Sequence, residues 1–232
     1  MSRWLIQLHG EEMDLEELPK WFPKGEVYAI EKNGTYYLTG PAFDAANNAE
    51  AILELGRNSL DEFSAIISLL WKSFQKPTIA HVAHEDESGA KSAYVFLSGI
   101  ASGRSKMGGV LVDASGNTSA PETTQAQDLL SAAKRSSHLR EALAVWGDPI
   151  RTWGRLYRVM EEIESHFQKP VDKAGLCSEA ERTRFTRTAN TAEAAGLDAR
   201  HGSRRFDPPS KPMSLEEGAS FISSLLERSL RR

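Results

Sequence analysis

The sequence predicts an α+β protein, with an N-terminal α+β domain followed by a C-terminal all-α helical bundle. In the first half, short apolar runs alternate with turn residues, as in hairpins, whereas in the second half apolar residues recur every three or four positions. The charge changes with the pattern: residues 1–117 hold 10 basic and 16 acidic residues, and residues 118–232 hold 18 and 16. Residues 114–121 are small, polar and rich in helix breakers, so we place the domains at 1–115 and 121–232.

The clearest local signal in the first half is Asn33-Gly34 between two alternating apolar runs. Both residues accept positive φ, so a two-residue turn should join the strands into a hairpin. The remaining predicted elements are strands at 4–8, 27–30, 36–39, 78–84, 91–97 and 110–112, and helices at 14–21, 45–55 and 60–74. Asn58-Ser59 is expected to begin the third of these helices.

The spacing of apolar residues in the second half predicts helices throughout. One helix is predicted over 123–146, and Asp148-Pro149 is predicted to start the next, since proline suits the first helical position. Ser178 and Ser214 each precede a glutamate by three residues, the signature of a capping box. The helix after Pro149 has a bulky stripe, which either lies against the rest of the chain or forms a homodimer: Trp153, Leu156, Tyr157 and Met160.

Composition excludes several classes of protein. The chain has 232 residues, 40% of them hydrophobic, without an apolar run long enough to span a membrane. Cys177 is the only cysteine, which excludes internal disulfides and a cysteine-based zinc site, so the default compartment is the cytoplasm. His81 and His84 fall three apart on a predicted strand and should point to opposite faces. We therefore expect no membrane association, no metal and no cofactor.

One basic segment carries the candidate site. Between Arg182 and Arg205 there are six arginines and two acidic residues, and the guanidinium fork suits paired hydrogen bonds to phosphate. Arg187 and His201 are the candidate catalytic residues: the imidazole would activate an RNA 2′-hydroxyl, and the guanidinium would stabilise the phosphorane. The candidate nucleic-acid-binding residues are Arg184, Asn190, Arg200, Arg204 and Arg205.

The same arginines have a structural interpretation. They would pair with carboxylates on neighbouring helices, and His201-Gly202 would only end a helix ahead of Pro208-Pro209. The carboxylates available for such pairs are Glu161, Glu162, Glu164, Glu179 and Glu181.

The Arg, Asn and His-Gly elements in a helical bundle resemble the HEPN domains of bacterial conflict systems. In that family an arginine and a nearby polar residue are followed by a histidine. Arg187 and Asn190 would match the first element, and His201 with Gly202 the second. The separation of Arg187 from His201 exceeds the family's spacing, so the resemblance requires an insertion between them. It implies a dimeric helical domain over the C-terminal half, either a metal-independent ribonuclease or a binding module.

Two functions follow from the sequence. The first is a C-terminal domain that binds or cleaves RNA through the Arg187 and His201 site. The second is a non-enzymatic protein-interaction or scaffold protein that forms a homodimer. A protein partner of the acidic N-terminal domain is a further expectation, because residues 1–117 carry an excess of six acidic residues.

Overall fold

The computed structural model describes residues 3–46, 48–85, 91–95, 123–200 and 207–232. The chain divides into two compact units, Met1–Asp128 and Leu129–Arg232. The predicted fold class is confirmed, since an antiparallel sheet with helices precedes a helical region. The expected boundary at 114–121 and the expected strand at 110–112 lie outside the described residues.

The first unit is built on a five-stranded antiparallel sheet of order β2-β3-β1-β4-β5. Its strands are β1 (Arg3–His9), β2 (Tyr28–Lys32), β3 (Thr35–Thr39), β4 (Thr78–Glu85) and β5 (Lys91–Val95). The predicted turn between β2 and β3 is confirmed: Asn33 and Gly34 have φ values of 55° and 72°, so both occupy the left-handed region that this hairpin needs.

Three helices accompany the sheet: α1 (Glu12–Trp21), α2 (Pro41–Asp44) and α3 (Ala49–Leu70). The prediction of separate helices at 45–55 and 60–74 is wrong, because α3 is one continuous helix capped by the Asn48 side chain. Its buried residues run through the predicted break, so the apolar face outweighs the capping signal at Asn58-Ser59. At Gly56 the helix lies so close to β1 that an added Cβ would be 2.0 Å from Ile6 Cδ1.

On the face opposite Ile6, an ion pair joins two distant corners of the sheet. Lys32 pairs with Thr35 at the start of β3, and Glu85 pairs with Arg3 at the start of β1. Because β1 and β3 are antiparallel, their starts lie at opposite ends of the sheet, and so do Lys32 and Glu85. Lys32 Nζ nevertheless donates to Glu85 Oε1 at 2.6 Å. A contact between such distant corners requires the sheet to twist so that the corners approach each other. The same face carries the buried cluster of Leu5, Tyr37 and Ala83.

Helix α4 (Gln125–Lys134) spans the point where the two units divide. The second unit contains α5 (Ser137–Gly147), α6 (Trp153–Phe167), α7 (Glu179–Asn190), α8 (Ala192–Ala195), a 3-10 turn (Gly196–Asp198) and α9 (Leu215–Leu230). The predicted single helix over 123–146 is wrong, because the Ser136 side chain accepts from Leu139 N and begins a new helix. The helix predicted to start at Asp148-Pro149 begins instead after Thr152.

An aromatic core holds the second unit together. Phe185 of α7 is fully buried, with ring centroids 5.9 Å from Trp153 of α6 and 5.3 Å from Phe221 of α9. Leu156 and Met160 of the α6 stripe are also buried, at 1% and 0% exposure. Of the two alternatives for this stripe, the structure shows the one in which it is covered by its own unit.

Among the described residues, no helix combines the length and apolarity needed to cross a bilayer.

Candidate functional site

The arginine-rich segment begins on α7, and the sequence folds locally as its capping signals require. Ser178 accepts from Glu181 N at 3.2 Å, and the Glu181 carboxylate accepts from Ser178 N at 2.8 Å. This reciprocal pair confirms the predicted capping box. The helix ends at Asn190, and the chain continues through α8 and the 3-10 turn to Arg200.

The end of this segment folds back onto the helix that precedes it. Arg200 N donates to Ala189 O at 2.9 Å, although ten residues separate the two positions. The residue before His201 is therefore held beside the last turn of α7, two residues from Arg187. A long separation in sequence between Arg187 and Arg200 is thus compatible with a short separation in space.

Arg184 is bound by its own unit. Its Nε donates to Lys211 O at 2.8 Å, and its Nη2 lies 3.1 Å from Glu217 Oε2. The pKa of Glu217 is below its usual value because Ser214 N donates to the carboxylate and the Arg184 guanidinium lies beside it. Arg184 therefore ties α7 to the start of α9.

Arg182 and Arg200 are bound in the same way. Arg182 Nε donates to Glu164 Oε1 at 3.0 Å and lies 3.5 Å from Asp172 Oδ1. Arg200 Nη2 donates to Glu161 Oε1 at 2.7 Å, and its guanidinium carbon lies 4.2 Å above the centre of the Tyr157 ring. These contacts match two of the carboxylate partners expected from the structural interpretation, Glu161 and Glu164.

Arg187 differs from these three. Its side chain is exposed, and within the part of the chain that the structure describes no carboxylate pairs with it. Asn190, one turn further along α7, buries its Oδ1 atom, and no described residue donates a hydrogen bond to it. Of the described arginines in this segment, Arg187 is the one whose guanidinium is open to a ligand.

Three of the predicted site residues, His201, Arg204 and Arg205, lie outside the described residues. The structure therefore places Arg184, Arg187, Asn190 and Arg200 of the predicted set. It brings Arg187 and Asn190 to the same end of α7 as the backbone of Arg200.

The two described histidines of the second unit, His138 and His166, link α5 to α6. His138 Nδ1 lies 2.9 Å from Glu162 Oε2, and His166 Nδ1 lies 2.9 Å from Ser136 Oγ. Because Ser136 Oγ also caps α5 through Leu139 N, this serine has a structural function. Within the described ranges, no group of three or more His, Cys, Asp or Glu side chains is placed to hold a metal ion.

A groove between α7 and α9 is a second candidate site, and the sequence analysis did not predict it. Its volume is about 500 Å³. Its charged lining consists of Glu181, Arg184, Glu216, Glu217 and Arg228, and its uncharged lining of Cys177, Met213, Ser214, Ser220, Phe221, Ser224 and Leu225. Serines mixed with apolar residues on one face of α9 are the signal that could have indicated it.

The lining of the groove suits a ligand that has charged groups at its ends and neutral groups in its middle. Arg228 Nη1 donates to Leu176 O at 2.6 Å at one end, and Arg184 meets Glu217 at the other. Burial raises the pKa of the Cys177 thiol to about 11, and the nearby Glu181 carboxylate acts in the same direction. The thiol is therefore protonated at neutral pH, so this arrangement suits non-covalent binding.

In comparisons with known proteins, no family model, no curated protein and no solved structure matches this chain.

Proposed function

We propose that the second unit is a non-enzymatic protein-interaction module in which the arginine-rich helix α7 has a structural function. The observation that carries this proposal is the engagement of Arg182, Arg184 and Arg200 with Glu164, Glu217 and Glu161. A carboxylate partner balances the charge of each guanidinium and uses part of its N–H donors, which weakens any phosphate contact.

The charge of the second half is nearly balanced, with 18 basic and 16 acidic residues over 118–232. Proteins that bind the phosphates of nucleic acid usually present a basic surface, whereas Arg182, Arg184 and Arg200 already pair with carboxylates. In the described part of the segment, a single open guanidinium, that of Arg187, is available for a phosphate. One such contact contributes little to affinity at physiological salt.

A titration of the full chain with fluorescently labelled single-stranded RNA tests the proposal. We expect the anisotropy of the RNA to stay constant at low salt, because too few guanidinium groups are open to hold it. Saturable binding that weakens steeply as salt is added, and that Arg187→Ala reduces while Arg140→Ala does not, would overturn it. Arg140 is the matched control because it is an exposed arginine on a different helix, α5.

RNA cleavage at Arg187 and His201 is a second candidate function. It is favoured by the hydrogen bond from Arg200 N to Ala189 O, which holds the residue next to His201 beside the last turn of α7. In this reaction the imidazole takes the proton of the 2′-hydroxyl as the oxygen attacks phosphorus. The 5′-oxygen of the next nucleotide leaves, and the Arg187 guanidinium stabilises the charge on phosphorus.

A gel assay of RNA integrity separates the two functions. If the second unit cleaves RNA, His201→Ala and Arg187→Ala should each remove at least about 99% of the cleavage rate, as expected for an acid–base or charge-stabilising group. Arg140→Ala should cleave like the parent. Intact RNA after incubation with the parent protein would eliminate cleavage and leave the interaction module.

A further inference from the structure

The face of α9 that lines the groove has a distinctive order of side chains. Each residue on it lies three or four positions from another member of the set, which places them all on one side of a helix. From the start of the face to its end they are Glu217, Ser220, Phe221, Ser224, Leu225 and Arg228. The face is about 16 Å long at the rise of an α-helix.

Two copies of this face are complementary to each other when the helices run antiparallel. A two-fold axis at the midpoint of residues 222 and 223 places position 217 opposite 228, 220 opposite 225, and 221 opposite 224. The carboxylate of Glu217 then faces the guanidinium of Arg228 from the other copy. The large side chain of Phe221 faces Ser224 of the other copy, and by symmetry this pairing occurs on both sides of the axis. Leu225 is 1% exposed and lies beneath the contact, inside its own unit.

We propose that a second copy of this chain docks in the groove, with the two α9 helices antiparallel and related by a two-fold axis. The inference rests on the proposed interaction function and names the partner. In such an isologous contact every pairing occurs twice. Serine opposite a large side chain allows the helices to approach closely, as interdigitated helix packing requires.

The charges at the ends of the groove fit this partner. Glu217 is held as a carboxylate by the Ser214 N–H and Arg184, and the Arg228 guanidinium uses one of its donors on Leu176 O. A guanidinium has five N–H donors, so Arg228 retains donors for a carboxylate of the second copy. A polyanion would fit less well, because it would meet Glu181, Glu216 and Glu217 in the same groove.

The middle of the groove offers apolar surface that such a partner would cover. Phe221 is half-buried against Phe185 and lines the groove beside the buried Leu225. Covering the exposed part of an aromatic ring with a packed helix removes apolar surface from water, which favours association. The second α9 would cover Phe221 of the first copy, and the first α9 would cover Phe221 of the second.

Sedimentation equilibrium of the full chain tests the contact. We expect a monomer–dimer equilibrium for the parent and for Ser224→Ala, which keeps the small side chain opposite Phe221. Ser224→Glu should raise the dimer dissociation constant at least about tenfold, because the two-fold axis places a charge against the apolar centre twice. Ser137→Glu, the same change at an exposed serine of α5, should leave the equilibrium unchanged.

The single cysteine provides a second measurement that needs no substitution. Cys177 lies in the wall of the groove, so dimer formation should slow its reaction with a thiol reagent as protein concentration rises. Ser224→Glu should react at a rate that does not depend on concentration. Circular dichroism of each variant checks that the helices are retained.

A parent protein that is monomeric at every soluble concentration would overturn the inference, and so would a dimer that Ser224→Glu leaves intact. A Cys177 reaction rate independent of concentration in a dimeric parent would place the contact elsewhere and would also overturn it. None of these outcomes depends on RNA. The RNA titration therefore tests the proposed interaction function separately.

Discussion

At the scale of single residues, two carboxylates show how partners determine charge. The bond from Lys32 and then the bond from Arg3 lower the pKa of Glu85 from 4.5 to about 2. Glu217 is held in its charged form by a backbone N–H and by Arg184. Glu85 joins two corners of the sheet in the first unit. Glu217 pairs with Arg184 at one end of the groove in the second unit.

Glu85→Gln should destabilise the first unit in a pH-dependent way. Because the folded pKa of Glu85 lies below its unfolded value, its contribution is present above pH 4.5 and is lost as the pH falls towards 2. At pH 7 we expect the substitution to cost about 1–2 kcal/mol of unfolding free energy, since both cations are partly exposed. Urea denaturation at pH 7 and below pH 4 measures this difference.

The matched control for this prediction is Glu54→Gln, at an exposed position on α3. Its unfolding free energy should equal that of the parent at both pH values. If Glu85→Gln were as stable as the parent at pH 7, the contact between the corners of the sheet would contribute nothing to stability.

At the scale of elements, tertiary packing decided where helices begin and end. Helix α3 continues through Asn58-Ser59 because Gly56, Leu60 and Phe63 keep a continuous buried face on either side. Asp148 forms a local turn in which its Oδ1 accepts from Ile150 N at 2.8 Å. It therefore does not begin α6, and Thr152 provides the cap.

Gly218→Ala should weaken the packing of α9 on α6. A Cβ at position 218 would lie 2.7 Å from Cζ3 of Trp153, whose side chain is buried. We expect a loss of about 1–3 kcal/mol in unfolding free energy, the usual cost of overpacking a core. Thermal denaturation followed by circular dichroism measures it.

Gly154→Ala is the control, because a Cβ at position 154 of α6 would meet no described residue within 4 Å. Alanine has the higher helix propensity, so this variant should equal the parent or gain up to about 1 kcal/mol. Equal stability of the two alanine variants would contradict the close contact at Gly218.

At the scale of the whole molecule, the second unit has a core of its own. The rings of Trp153, Tyr157, Phe185 and Phe221 form a connected group on α6, α7 and α9. A fragment containing residues 136–232 keeps this whole group together with α5. We expect it to be helical and to melt cooperatively.

Circular dichroism of that fragment provides the measurement. Gly218→Ala should lower the melting temperature of the fragment, as we expect for the full chain, because Trp153 and Gly218 both belong to the fragment. A fragment that is helical but melts without a cooperative transition would show that the aromatic core needs residues before position 136.

The sequence predicted the features that depend on neighbouring residues. The Asn33-Gly34 hairpin and the capping boxes at Ser178 and Ser214 were predicted correctly, since each rests on backbone angles or hydrogen bonds within four residues. The carboxylate partners of Arg182 and Arg200 were foreseen as a set but could not be assigned individually. Which glutamate an arginine meets depends on how helices distant in sequence pack.

By itself, then, the sequence determined the fold class, the turns and the helix caps, because local sterics and hydrogen bonding are encoded within a few residues. Only the tertiary structure showed that most described arginines of the basic segment serve their own unit. It also revealed a groove whose lining comes from two helices separated by more than twenty residues of chain. Such surfaces arise from helix packing, which no local pattern specifies.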